Sequence, residues 1–258
     1  MRNFDLTGKV AIVTGSTRGI GRAIAEAYAA AGARVVISSR KQDACNEVAA
    51  AINACYDEDR AIPIAASISS KEALEAMVAE TRRHWGKVDI LVCNAASNPH
   101  YGPLSSLTDE QFRKIFDNNV LSTLWLISIV SPEFIERKEG AIVVVSSVGG
   151  LLGSDKLGAY NMSKAADLQL VRNLAVELGP HNVTINAIAP GVIRTDFAKA
   201  LWEESSAAAE VENGAPLGRI GEPSDIAGAA MLFASSAGSY ITGQTLVIDG
   251  GTSIKSSK

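Results

Sequence analysis

Only three cysteines (Cys45, Cys55, Cys93) and three histidines occur among 258 residues, and neither set has paired or ligand-like spacing. That argues against a disulfide-stapled scaffold and against a Cys/His metal site, and it leaves the thiols as ordinary groups of a reducing compartment. Excess charge is also scarce. A formal net charge of −4 offers no basic patch for nucleic acid. Long hydrophobic runs are missing: the most apolar stretch, 120–130, carries polar residues and soon meets Pro132, far short of the roughly 20 residues a membrane-spanning helix needs. Residues 1–14 lack the charged, apolar and small-residue succession of a signal peptide. No internal repeat or low-complexity segment appears, and only 255–258 reads as a disordered tail. What remains is a chain of ordinary apolar content, 47%, that fits one domain with a large core.

The hydrophobic pattern alternates between short apolar runs and longer helical periods. Strands are expected at 10–14, 34–38, 61–66, 90–93, 141–146, 184–189 and 245–248, and helices at 19–31, 41–54, 70–85, 109–137, 158–179 and 223–235. Strand–helix alternation without a linker predicts an α/β fold, a doubly wound parallel sheet of seven strands flanked by helices. In such a sheet the ligand lies beyond the carboxyl ends of the strands, where Thr14, Ser38, Asn94 and Ser147 all fall.

Two motifs occupy those ends. After the first strand comes Gly15-Ser16-Thr17-Arg18-Gly19-Ile20-Gly21, followed by an Ala-rich helical stretch. Strand, glycine turn and helix together aim backbone N–H groups and a helix N-terminus at a pyrophosphate. Three glycines exceed what a plain turn requires. The second motif is Tyr160 and Lys164, four residues apart on one helix face, with Ser147 thirteen positions before the tyrosine. A nearby ammonium favours the phenolate, so Lys164 is expected to lower the Tyr160 pKa and make the phenol a proton donor and acceptor.

Thr14 to Gly21, Asn94-Ala95-Ala96, Asn119, Ser147, the Tyr160 to Lys164 spacing, Pro190-Gly191 and the closing run Tyr240 to Gly251 occur in one order along the chain. In these residues the chain resembles the short-chain dehydrogenase/reductase family in its classical form. The resemblance implies a single NADP-binding Rossmann domain over 1–258, with a substrate lid at about 195–216. It implies catalysis by Asn119, Ser147, Tyr160 and Lys164. The nicotinamide would lie over Tyr160 and Lys164, Tyr160 would protonate a carbonyl oxygen, Ser147 would hold that oxygen, and Lys164 would hold the ribose. Asn119 would kink its helix and position a water. Cofactor contacts are implied for Gly15, Ser16, Thr17, Arg18, Gly19, Ile20, Gly21, Ser39, Arg40, Lys41, Ser67, Ile68, Asn94, Ala95, Ala96, Tyr160, Lys164, Pro190, Gly191, Ile193 and Thr195, with no metal.

The second strand ends in Ser38-Ser39-Arg40-Lys41, without the acid that would bond a ribose 2′-hydroxyl. Guanidinium and ammonium groups suit a 2′-phosphate, so NADP(H) is the expected cofactor. Two departures from the family pattern stand out. Ser67-Ile68 replaces an Asp before an apolar residue, and Ala96 replaces a glycine, which would strain the chain if the position needs positive φ. Phe197, Leu201 and Trp202 either wall an apolar pocket or pack under the lid itself. Leu168, Leu170, Val171 and Leu174 belong either to an oligomer interface or to the core. Within the family, NADP-dependent carbonyl reductases and 3-oxoacyl-[acyl-carrier-protein] reductases are the nearest types. The expected substrate is thus a small ketone, aldehyde or secondary alcohol, with a thioester-linked 3-oxoacyl group as the alternative, and from another class a non-catalytic NADP(H) sensor. A homotetramer or dimer is implied by resemblance. The cytoplasm is the default location, since the tail is not Ser-Lys-Leu.

Overall fold

The computed structural model describes residues 2–255; three of the four tail residues expected to be disordered, 256–258, lie outside them. Seven strands form one all-parallel sheet: β1 (Val10–Thr14), β2 (Arg34–Ser38), β3 (Ala61–Pro63), β4 (Ile90–Cys93), β5 (Gly140–Val145), β6 (Val183–Pro190) and β7 (Thr245–Ile248). Their spatial order is β3-β2-β1-β4-β5-β6-β7. The order reverses between β1 and β4, which makes that junction the switch point where a doubly wound sheet opens a crevice. The helices are α1 (Gly19–Ala30), α2 (Gln42–Asn53), α3 (Lys71–Trp85), α4 (Asp109–Phe116), α5 (Ser122–Arg137), α6 (Gly158–Leu178), α7 (Ser205–Gly214) and α8 (Pro223–Ala234).

Strand side chains alternate between two cores, because successive Cβ atoms point to opposite faces. Ala11, Val13, Val35, Ile37 and Val92 pack against α1, α2 and α8. Ile12, Val36, Leu91, Ile142 and Val144 pack against α3, α5 and α6. Leu168, Val171 and Leu174 of α6 join that second core, with Leu170 half-buried against it, so the core reading holds for this leucine stripe.

Two elements differ from expectation by more than one residue at an end. The third strand closes at Pro63, which has no N–H to extend the ladder, although the Ile64 and Ala66 N–H groups still donate to Ile37 O and Ser39 O. The single helix expected over 109–137 is two helices joined by a π turn, Asp117–Leu121, that holds Asn119. Such turns widen and bend a helix.

At the amino ends of the strands, away from the crevice, Asp89 is buried. Its Oδ2 accepts the Val10 N–H at 2.8 Å and pairs with Lys87 Nζ at 2.9 Å, and the Arg137 guanidinium lies 3.3 Å from Oδ1. This carboxylate ties β1 to β4 and α5. Asp89→Ala is expected to cost about 2–3 kcal/mol, because it strands a buried N–H and two cations that retain some access to water. The midpoint of urea denaturation measures it, and a loss below about 1 kcal/mol would refute the assignment.

Candidate active site

The glycine turn is held from beneath by bonds within the protein. The Thr14 hydroxyl accepts the Asn94 and Ala95 N–H groups at 3.0 and 3.1 Å. The Asn94 amide donates to Thr14 O at 2.9 Å and to Gly15 O at 3.3 Å. Ser16 is fully buried; its hydroxyl donates to Val13 O at 2.7 Å and accepts the Ser38 N–H at 2.8 Å. The Asn94 and Ser16 side chains therefore clasp β1 to β4 and β2.

Gly15 and Gly19 adopt φ of +67° and +56°, and a Cβ on Gly21 would stand 2.4 Å from the Gly15 carbonyl oxygen. Glycine is required for α1 to start this close to the strand ends. The helix begins without a side-chain cap, so first-turn N–H groups remain for an anion. Thr17 and Ile20 are half-buried beside it, Ile20 against the core. Thr195 packs on this turn: its Cγ2 lies 3.0 Å from where a Gly19 Cβ would be. Ile193 is buried and bridges to Gly221, and the Gly191 N–H donates to Ile248 O at 2.9 Å, fixing the turn after Pro190.

Beyond β2, Ser39 is half-buried while Arg40 and Lys41 are exposed, with no ion pair to either among the described residues. Arg18 is paired with Asp196 at the start of the lid segment, 3.0 Å away. Ser67 and Ile68 are half-buried after β3, the serine bonded to Ser69 at 2.8 Å. Ala96 carries no strain, because the only non-glycine residues with positive φ among the described residues are Lys138 and Asn182.

Across the switch point, Ser147 follows β5 and its Oγ accepts the Gly149 N–H at 3.0 Å. Tyr160 stands in the first turn of α6, and Lys164 one turn on is almost fully buried with Nζ 5.8 Å from the tyrosine ring centroid. The ammonium donates to Val145 O and to Asp167 Oδ2, both at 3.0 Å. Asn119 accepts the Ser97 N–H at 2.8 Å and donates to Ser97 O and Ser163 Oγ, both at 3.0 Å. The Ser163 hydroxyl in turn donates to Tyr160 O at 2.7 Å. Asn119 thus locks the 97 loop to the tyrosine's turn of helix.

Lys164 acts on the Tyr160 pKa in the expected downward direction, but burial outweighs it and the net shift is upward. Burial raises the phenol above its ordinary value; Lys164 and the Ser147 hydroxyl oppose that rise and Asp167 adds to it. Desolvation of the phenolate outweighs the ammonium, so the resting group is the protonated acid.

The segment expected to form a lid folds as a 3₁₀ turn, Asp196–Leu201, and α7. Phe197 faces the site with its ring centroid 5.9 Å from that of Tyr160, while Trp202 donates its indole N–H to Thr195 O at 3.2 Å and lies under Arg194. One aromatic therefore stands beside Tyr160 and the other packs on its own segment. The loops 97–103 and 149–157 meet through Gly102 N–H to Lys156 O at 2.9 Å. Tyr101, Leu151 and Leu152 on these loops are exposed.

Two supports were not expected from sequence. Asn161 donates to Leu152 O at 3.0 Å and fills the space beside Gly149, which shapes the turn after Ser147. Asp167 pairs with Lys164, and the only signal in the chain was an acid three residues after the lysine.

A parallel doubly wound sheet, a glycine turn at its switch point and a serine–tyrosine–lysine set across the crevice define an oxidoreductase of the Rossmann type that binds a nicotinamide dinucleotide. The chain belongs to the short-chain dehydrogenase/reductase family. The family profile described as enoyl-(acyl carrier protein) reductase matches residues 15–253. Dehydrogenase/reductase SDR family member 4 of Mus musculus is 41% identical over 253 residues, 97% of this chain and 89% of the mouse protein. Among solved structures, a 7α-hydroxysteroid dehydrogenase complexed with NADH and 7-oxo glycochenodeoxycholic acid superposes with a TM-score of 0.92 at 36% identity, covering 97% of this chain and 96% of that one. Levodione reductase superposes with a TM-score of 0.93 at 30% identity, covering 97% and 100%. Among the described residues no helix is long and apolar enough to cross a membrane, and no group of three or more His, Cys, Asp or Glu could hold a metal.

Proposed function

We propose that this protein is an NADP(H)-dependent carbonyl reductase and alcohol dehydrogenase acting on a small, largely apolar ketone, aldehyde or secondary alcohol. The observation that carries the reading is the half-buried Tyr160 with Ser147 and the buried Lys164 beside it at the carboxyl ends of the strands. The cofactor site fits on this chain's own terms: a turn that only glycine can make, an uncapped α1 and the cations Arg40 and Lys41 after β2. Gly15 to Gly21 would take the pyrophosphate and Ser39 to Lys41 the 2′-phosphate. Ser67, Ile68, Ala95 and Ala96 would border the adenosine half, and Pro190, Gly191, Ile193 and Thr195 the nicotinamide half. When bound, NADPH supplies the hydride.

The protein's own residues handle the oxygen and the proton. Ser147 Oγ, oriented by the Gly149 N–H, would donate to the substrate oxygen. Tyr160 gives that oxygen its proton, and burial keeps the proton on the phenol until it is needed. Lys164 has two of its three N–H donors committed to Val145 and Asp167, which leaves one for a ribose hydroxyl. Asn119 holds the turn of helix that carries the tyrosine. Tyr101, Leu151, Leu152 and Phe197 supply apolar walls, which favours a ketone over a small anion. Exposed Leu121, Leu124 and Val176 support pairing of copies through α5 and α6, in keeping with a cytoplasmic homotetramer or dimer.

The test is oxidation of NADPH and of NADH against an acetoacetyl thioester, an aromatic diketone, a medium-chain aldehyde and a cyclic ketone. Turnover of ketones or aldehydes, with NADPH favoured by about tenfold or more, is expected. Preference for the thioester would move the protein to 3-oxoacyl reduction, and turnover with NADH alone would refute the cofactor assignment. Tight NADPH binding without turnover of any substrate would return the sensor reading.

A further inference from the structure

Lys164 and Asp167 form an ion pair almost entirely removed from water, one helical turn below Tyr160. The side chains are 4% and 1% exposed, and Nζ stands 3.0 Å from Oδ2. Both lie on the face of α6 that packs on the sheet, beside apolar neighbours Leu168 and Val171. An ammonium so placed is costly without a counter-charge. The Asp167 carboxylate meets it through Oδ2, while the buried Oδ1 has no hydrogen-bond partner among the described residues. Among the described residues, Lys164 is its one hydrogen-bond and ion-pair partner.

We propose that Asp167 is a positioning residue for hydride transfer, its buried carboxylate neutralising the Lys164 ammonium and anchoring it between the end of β5 and the Tyr160 ring. The inference rests on the functional reading above and deepens it. Without Asp167, burial would push the Lys164 ammonium down toward the neutral amine; the carboxylate, followed by Tyr160, reverses this and leaves it above the ordinary lysine value. A neutral lysine could neither favour the phenolate nor hold a ribose hydroxyl as a cation. Asp167 also raises the Tyr160 phenol directly, because a second negative charge nearby disfavours the phenolate. The titratable groups facing the pair are Tyr160 on the same helix and Cys93 at the end of β4; burial keeps the Cys93 thiol protonated, so it contributes no charge near neutrality.

Both effects have the same sign on the pH–rate profile. Alcohol oxidation needs ionised Tyr160 and charged Lys164, so its rate rises as the tyrosine loses its proton and falls as the lysine does. Removing the Asp167 charge lowers both values, and the whole bell moves to lower pH. The experiment is the pH profile of kcat for NADP-dependent oxidation of a secondary alcohol, in wild type and in Asp167→Asn, which preserves shape and hydrogen bonding but not charge. A displacement of both limbs by on the order of one pH unit is expected, with the lost kcat at high pH exceeding any change in alcohol KM. Asp167→Glu, which keeps the charge, is expected to return the limbs toward wild type. If Asp167→Asn is not recovered folded, Asp167→Ser removes the same charge and leaves room for a water. Unmoved limbs in either neutral variant, whatever the loss of stability, would overturn the proposal. Failure of the functional reading looks different: wild type itself would then show no alcohol oxidation at any pH.

Discussion

Replacing Tyr160 with phenylalanine is expected to lower kcat for carbonyl reduction by about 10³-fold while leaving NADPH affinity within a few-fold of wild type. The substitution deletes one oxygen and keeps the ring, so the contact with Phe197 and the seat on α6 survive. Nothing else near the substrate oxygen can replace the lost acid. Lys164 is held by Val145 O and Asp167, and burial in an ion pair keeps its proton, so it is a poor donor to an alkoxide. Ser147 can donate a hydrogen bond but not give up its proton. The remaining rate would come from orientation alone. Stopped-flow single-turnover rates, with NADPH affinity from fluorescence titration, separate chemistry from binding. A variant that keeps more than a tenth of wild-type turnover would remove Tyr160 from the chemistry.

The second large effect is on cofactor choice. In the double variant Ser39→Asp and Arg40→Ala, the ratio of kcat/KM for NADPH over NADH is expected to fall by about 10²- to 10³-fold and to invert. Position 39 follows the last residue of β2 and is half-buried, so a carboxylate there is held close to the crevice. It would repel a 2′-phosphate and accept a hydrogen bond from a ribose hydroxyl. Loss of the guanidinium removes a charge-assisted bond worth about 1.5–3 kcal/mol. Together these reach the stated change, at about 1.4 kcal/mol per factor of ten. Lys41 remains and sets the lower bound. A ratio that does not move would mean that the phosphate is held elsewhere, with Arg18, now paired to Asp196, the first residue to test.

Much of this was legible from residue order because a buried parallel sheet writes itself locally. Each strand is a short run of β-branched and small apolar residues, since both of its faces must be covered, and four of the seven expected strands have the observed limits. The glycine turn was legible for the same reason: positive φ at Gly15 and Gly19 is a backbone requirement that only one residue type meets cheaply. Boundaries set by partners were harder to see. The π turn at Asp117–Leu121 breaks a segment whose periodicity reads as one helix. Asn119 sits in it with its amide bonded to Ser97, 22 residues back, and Ser163, 44 residues on. No local propensity encodes bonds of that span.

The sequence by itself determined the strand and helix content, the glycine turn, the family motifs and the absence of an acid after β2, all of which depend on neighbours within a few residues. Only the tertiary structure decided the roles that depend on burial. It turned Asn94 and Ser16 into clasps of the sheet, turned Phe197 toward Tyr160 and Trp202 away from it, and relieved the concern over Ala96. It also let burial outweigh Lys164 in the tyrosine's shift and paired Asp167 with Lys164 out of water. An acid three residues after a lysine reads as a solvated surface pair until the fold removes the water. At that point desolvation becomes the largest influence on Tyr160, Lys164 and Asp167 alike, and the charge of one cannot be understood without the others.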